Sequence, residues 1–255
     1  MSRQPRIQFP GAIYHITSRG NRRAHIFLDD HDYLTWHKTF ATTAEKFGFI
    51  SHSFCLMPNH FHILLETMQA NLSKGMQFLN SHYSQHFNKR HGKDGHLLQG
   101  RFNAQLVEHD SYFAELGRYI ALNPVRAGLV KSAADWRWSS YRYTAGLATP
   151  PHWLETDRIL AHFGQRDNDL RHKAFRAFVA SGIDCSNPLK GRRKSQKPDA
   201  TQAQPAPKPL ADYACRPNRN SAIADAISSG AYSKKDIAEA FGVSKRTIGR
   251  AAKRN

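Results

Sequence analysis

An α+β fold with an antiparallel sheet, followed by a small all-α unit, is what three features of the sequence predict. Short β-prone runs alternate with stretches whose apolar residues recur every three or four positions. The breaks between them are rich in Gly, Asp and Arg. Beyond Asn187 the core-forming residues thin out, and two further short helical patterns appear near the end of the chain.

The first strand is Ala12 to Ser18, and Arg19-Gly20-Asn21-Arg22-Arg23 after it is a turn dense in cations. Asp29-Asp30-His31-Asp32 caps a first helix, in which Tyr33, Trp36, Phe40 and Ala44 share a face before Gly48 stops it. Ser53 to Met57 leading in and Ile63 to Leu65 leading out both read as buried strand, with His60 and His62 its only polar interruption on one face. A second helix spans Asn71 to Arg90 on the spacing of Leu72, Met76, Leu79, Tyr83 and Phe87, and Gly92, Asp94 and Gly95 break it. Phe102 to Glu108 is a strand. Asp110-Ser111 opens a third helix that should run to Asn123, where Pro124 ends it. Leu170 to Val179 is a short amphipathic helix. The expected divisions are 1–145, a helical extension 146–185, a basic Pro-rich linker 186–217, and a helix-turn-helix unit 218–255.

In that last unit Ser233 can cap a helix from Lys234 to Phe241, Gly242 can make the turn, and Ser244 can cap a second helix from Lys245 to Lys253. Ile237, Val243 and Ile248 supply apolar contact, with Ile223 and Ile227 available from a preceding helix. Lys245, Arg246 and Arg250 then face outward, as duplex DNA binding requires.

Charge points to a polyanionic partner. The 255 residues carry a formal +17, with +10 in residues 186–255 (15 Lys or Arg less 5 Asp or Glu) and therefore +7 in the rest. Nucleic acid fits best. Three scattered cysteines, Cys55, Cys185 and Cys215, without a C-x-x-C pair argue against a disulfide framework or a zinc finger and suit a reducing cytoplasm. There is no apolar leader and no run of about 18 apolar residues, so a membrane partner is not expected.

Two clusters carry candidate chemistry. In a strand, His60 and His62 share one face while Phe61, Ile63 and Leu65 share the other. Chance alone supplies about one His-x-His in a chain with this many histidines. The apolar runs on both sides of this one make it stand out as two nitrogen ligands on a buried strand. On the third helix Tyr119 and Asn123, four apart, lie on one face and offer a hydroxyl nucleophile beside an amide oxygen. Taken singly, Tyr119 also reads as a core aromatic and Asn123 as a helix stop. Together they supply what phosphodiester cleavage needs: a metal held by His60, His62 and Asn123, and an attacking group at Tyr119 with Arg118 and Arg126 nearby. Imidazole ligands favour manganese, zinc or nickel by affinity, and open positions with an amide oxygen would also accept magnesium.

Five motifs appear in order: Arg19-Gly20-Asn21, Leu56 to His62, Gln99-Gly100-Arg101-Phe102, Tyr119 to Gly128, and Trp138-Ser139-Ser140-Tyr141. In that order they resemble the REP-associated tyrosine transposases, a single-tyrosine branch of the HUH endonucleases, over residues 8 to 145. The resemblance implies a ferredoxin-like sandwich and a metal-dependent (Mg2+ or Mn2+) endonuclease and strand transferase for single-stranded DNA at REP-type hairpins. Tyr119 would carry the 5′-phosphotyrosine intermediate. Arg19, Asn21, Arg22, Arg23, Arg101 and Arg126 are the expected DNA contacts, and a cytoplasmic monomer is the expected state. Two departures stand out: Ala121 where members often have His, and the added unit near the C-terminus. The other reading from the residues is a non-catalytic DNA-binding regulator that works through the helix-turn-helix.

Overall fold

The computed structural model describes residues 6–107, 111–164, 167–183 and 234–243, with residues 210, 222, 223, 226 and 232. The chain divides into two compact units, Met1–Lys190 and Gly191–Asn255.

The first unit begins β1 (Ala12–Arg19), α1 (Asp30–Phe47), β2 (Phe49–Met57), β3 (His60–Thr67), α2 (Leu72–His91) and β4 (Asn103–Leu106). The strands form one sheet in the order β2-β3-β1-β4, antiparallel throughout. The helices start and stop where local chemistry dictates. The Asp29 carboxylate accepts from Asp32 N at the head of α1, and Gly48, at φ 64°, ends it in the left-handed region open to glycine. Gly92 ends α2 in the same way at φ 57°.

Strand alternation divides the core in two. Tyr14 and Ile16 of β1, Phe54 and Leu56 of β2, and Phe61, Ile63 and Leu65 of β3 pack under α1 and α2 with Trp36, Phe40, Leu79 and Tyr83. The expectation for Phe61, Ile63 and Leu65 holds. Each fully buried Phe in this layer stabilises by about 1.5–3 kcal/mol. On the opposite face lie Ile13, Cys55, Met57 and Leu64. Phe49 and Phe54 are five apart, so simple alternation would put them on opposite faces. A bulge at His52, where the register slips between Ser51 and Ser53, keeps both in the α1–α2 layer.

The opposite face is covered by α3 (Ser111–Ala121) through Phe113, Leu116 and Ile120. Pro124 does not stop the chain from turning, contrary to the sequence expectation. Leu122 stays in the right-handed region and α4 (Asn123–Arg126) follows at once, with Pro124 in its first turn, where a missing N–H costs nothing. The Asn123 amide compensates at the joint: Nδ2 donates to the Tyr119 carbonyl at 2.9 Å and approaches the Ile120 carbonyl, which Pro124 cannot serve, at 3.5 Å. Beyond lie α5 (Tyr141–Thr144), α6 (Asp157–Leu160) and α7 (Asn168–Ala180). Ile159, Leu160, Phe175 and Val179 pack with the α3 residues, which gives the amphipathic 170–179 segment its partner. Asp110 and Glu108, expected at the edges of α3 and β4, lie outside the described residues.

In the second unit α8 (Lys234–Ala240) buries Ile237 and Ala238, and with Phe241 these residues cluster with Ala222, Ile223 and Ala226. Gly242 sits at φ 58°, with Val243 N bonded to Ala238 O and Gly242 N to Glu239 O, a Schellman end for α8. The second helix expected after it, with Lys245, Arg246 and Arg250, lies outside the described residues, as do Cys185, Cys215 and nearly all of the expected linker. No described helix is long and apolar enough to cross a membrane.

Candidate active site

The site lies at the end of the sheet where β1 leaves and β3 enters. A two-residue turn, Pro58-Asn59, joins β2 to β3 and pairs Met57 with His60. Loop 20–27 holds that turn through backbone bonds from Gly20 N to Asn59 O (2.8 Å) and from Ile26 N to Pro58 O (2.8 Å). Gly20 is required there because a Cβ would sit 2.0 Å from the Ala24 carbonyl oxygen.

Asn59 also sets the chemistry of His60. Its Nδ2 donates to the Arg23 carbonyl at 3.1 Å, so the other branch, Oδ1, faces His60 Nδ1 at 2.6 Å. An amide oxygen only accepts. His60 Nδ1 therefore carries the proton, and Nε2 keeps its lone pair.

His62, on the same strand face, meets a residue that sequence reasoning missed. His15 Nε2 lies 2.9 Å from His62 Nδ1. The two rings are within 5° of parallel with centres 5.1 Å apart, so they meet edge to edge in one plane, the geometry of a hydrogen bond. Both side chains are buried. When His62 Nδ1–H donates to His15, His62 Nε2 is the lone-pair nitrogen, matching His60.

Burial pulls His15 from 6.5 to about 4. Burial, then the Arg19 cation, does the same to His60, and burial followed by repulsion from His15, His60 and Arg19 holds His62 well below its ordinary value. All three rings are thus neutral at pH 7, the state a metal ligand needs. Among the described residues no group of three or more His, Cys, Asp or Glu is placed to hold a metal. His60 and His62 could supply two imidazoles to a metal, and any further ligand would have to be an oxygen from an amide or a substrate. With its Nδ2 committed to the helix joint, Asn123 has Oδ1 to offer. This set fits a divalent cation with open positions.

Tyr119 projects from α3 onto the same spot. Its ring stands edge-on to His62 at 5.9 Å and to His15 at 6.2 Å, both at 90°. The Arg126 guanidinium lies 5.4 Å over the Tyr119 ring and donates to the Gly182 carbonyl at 2.9 Å, so α4 and the end of α7 brace the tyrosine. Arg118 instead pairs with Glu115 and lies over Phe178.

The expected DNA contacts border the site. Arg19 pairs in register with His60, and Asn21, Arg22 and Arg23 form an exposed 3-10 turn. Arg22 and Arg23 have φ of 53° and 61°, a left-handed conformation that costs a non-glycine residue energy. Arg101 is exposed just beyond Gln99, whose N–H bonds to the Arg19 carbonyl at 2.8 Å.

Comparison with known proteins agrees with this geometry. The family described as "Transposase IS200 like" matches residues 8–123. This stretch, just under half of the chain, is similar to that family and contains both histidines, Tyr119 and Asn123. A Haemophilus influenzae protein named as a REP-associated tyrosine transposase is 27% identical over 143 residues, 51% of this chain and 80% of that protein. The solved structure of a REP-associated tyrosine transposase bound to a REP hairpin shares the fold, with a TM-score of 0.50, 20% identity, 62% of this chain and 93% of that one covered. The resemblance read from the five motifs is thereby shown, and the first unit is α+β with an antiparallel sheet, as expected.

Proposed function

We propose that this chain nicks and rejoins single-stranded DNA beside REP-type hairpins, using Tyr119 as nucleophile on a ferredoxin-like βαββαβ sandwich. The observation that carries the reading is the edge-on approach of Tyr119 to His62, with His62 and His60 both neutral and both able to present Nε2. His60, His62 and the Asn123 amide oxygen would hold a divalent cation, Mg2+ or Mn2+. Such a cation polarises the scissile phosphate and stabilises the charge that develops on it. The Tyr119 oxygen attacks phosphorus and releases its phenolic proton to solvent. The P–O3′ bond breaks, and the departing 3′-oxygen takes up a proton. The products are a 5′-phosphotyrosine and a free 3′-hydroxyl. Attack by another 3′-hydroxyl reverses the step and joins strands without an external energy source. The cations of Arg19, Arg22, Arg23 and Arg101 would hold the strand, while Arg126 braces Tyr119 from beside the cut.

The test is incubation of hairpin-bearing single-stranded DNA with the protein and Mn2+, followed by denaturing electrophoresis. A covalent protein–DNA adduct is expected and should vanish in Tyr119→Phe. An adduct that persists in the variant removes Tyr119 from this role. The charge of residues 186–255 favours a second reading, a regulator that binds duplex DNA through a C-terminal helix-turn-helix. Tight salt-sensitive duplex binding with no metal-dependent cleavage would establish it.

A further inference from the structure

Helix α7 lies outside residues 8–123, the stretch similar to the transposase family, yet it shares a buried cluster with the helix that carries Tyr119. Phe175 and Val179 of α7 join Leu116 and Ile120 of α3 there. Two further bonds fix α7 to the loop after α5. His172 Nδ1 donates to the Thr144 carbonyl at 2.9 Å, and Arg176 donates to the Ala145 carbonyl at 2.6 Å. The end of α7 is therefore a fixed reference point for its neighbours.

The last carbonyls of a helix lack partners within the helix, and their combined negative pole favours cations. Here both cations come from the segment around Tyr119. Arg118, the residue before it on α3, lies 4.3 Å over the Phe178 ring, with Nη1 3.5 Å from the Phe178 carbonyl oxygen. The Ser181 hydroxyl donates to that same oxygen at 2.9 Å. Arg126 of α4 donates to the Gly182 carbonyl at 2.9 Å, and its guanidinium lies 5.4 Å over the Tyr119 ring.

Gly182 is where the two contacts meet. It is buried, and a Cβ on it would fall against Arg118 Cδ and within 2.7 Å of Nε. Arg118 is not free to swing aside, because it also pairs with Glu115 and packs on Phe178. The absent side chain of Gly182 thus makes room for one arginine, and its backbone oxygen anchors the other over the tyrosine. A nucleophile must stand in line with the bond it breaks, and a displacement of about 1 Å can cost about 100-fold in rate.

We infer that Gly182, at the end of α7, is a positioning residue for Tyr119 that acts through Arg126 and Arg118. The inference rests on Tyr119 as the nucleophile and adds what holds its ring in place.

The test uses the full chain, Mn2+ and a hairpin-bearing single strand labelled at its 3′ end. Single-turnover adduct formation is followed against protein concentration, which separates the maximal rate from the half-saturating concentration. Gly182→Ala should lower the maximal rate about 10- to 100-fold and leave half-saturation unchanged. In an Arg118→Ala background the added Cβ meets open space, so the same change should cost less than about twofold there. Arg126→Met should also lower the maximal rate at unchanged half-saturation. An unaltered rate in Gly182→Ala, or an equal loss in both backgrounds, overturns the inference. So does an Arg126→Met variant that raises half-saturation alone, since Arg126 would then be a DNA contact. Absence of any adduct with the unaltered chain would instead remove the nicking reading itself.

Discussion

His15 shows how much one ring can decide. Its Nε2 is the partner of His62 Nδ1, so it controls which nitrogen of His62 is left free for the proposed cation. His15→Ala removes that partner and leaves a buried N–H without an acceptor. The expected result is a 10–100-fold weaker Mn2+ affinity by calorimetry, the usual cost of losing a group that orients a ligand. Unchanged affinity would mean that the strand alone fixes His62. His15 was hidden in the sequence for a simple reason. It reads as one polar residue in a β-prone run, and its meeting with His62 depends on the register that sets Thr17 against His62. Register is a long-range property that no local pattern encodes. The histidine pair in β3 was legible because both members lie on one strand.

Elements whose signals are local were readable end to end. Asp29 and Gly48 bracket α1 as expected, and Gly242 ends α8. Where a side chain substitutes for backbone, the reading failed: Pro124 predicts a stop, but Asn123 bridges the gap and the chain turns on into α4. The β2 bulge was equally invisible, and it has its own chemistry. It turns buried His52 towards two carboxylates, Glu66 at 2.9 Å and Glu155 at 2.8 Å, with Arg158 also on Glu66 at 2.9 Å. These contacts fasten the outer end of the β2–β3 hairpin to the start of α6, beside the Phe113 ring of α3. His52→Ala should destabilise the protein by about 2–3 kcal/mol in urea unfolding, since charged hydrogen bonds are lost and a buried space opens. A cost under about 0.5 kcal/mol would show that the clamp contributes nothing.

At the scale of the whole molecule, burial of neutral histidines makes the fold sensitive to acid. His15, His37 and His60 titrate at about 4 in the folded protein against 6.5 ordinarily, chiefly because burial disfavours their charged forms. Between those values the unfolded chain binds more protons, so stability rises with pH from about 4 to 6.5 and no longer gains from these groups above that. Glu155 acts in the same direction. Burial raises its pKa, but the His52 hydrogen bond and two backbone N–H groups outweigh it and leave the net value low, so its contribution is lost as pH falls through the carboxylate range. Urea midpoints should drop steadily from pH 7 to pH 5, and His37→Phe should flatten the profile. A midpoint independent of pH across that range would contradict the burial of these rings.

The turn at Pro58-Asn59 has a consequence of counting. Every partner from Met57–His60 out to Ser53–Leu64, before the bulge, is indexed from those two residues, and the faces of a strand alternate with a period of two. One residue fewer in the turn would exchange His60 and His62 for Phe61 and Ile63, placing two imidazoles in the aromatic layer and two apolar groups before Tyr119, and one residue more would put Asn59 and Phe61 in their places. No intermediate register presents one ligand correctly and the other not. The histidine pair is therefore all or none, and the parity of a two-residue turn decides it.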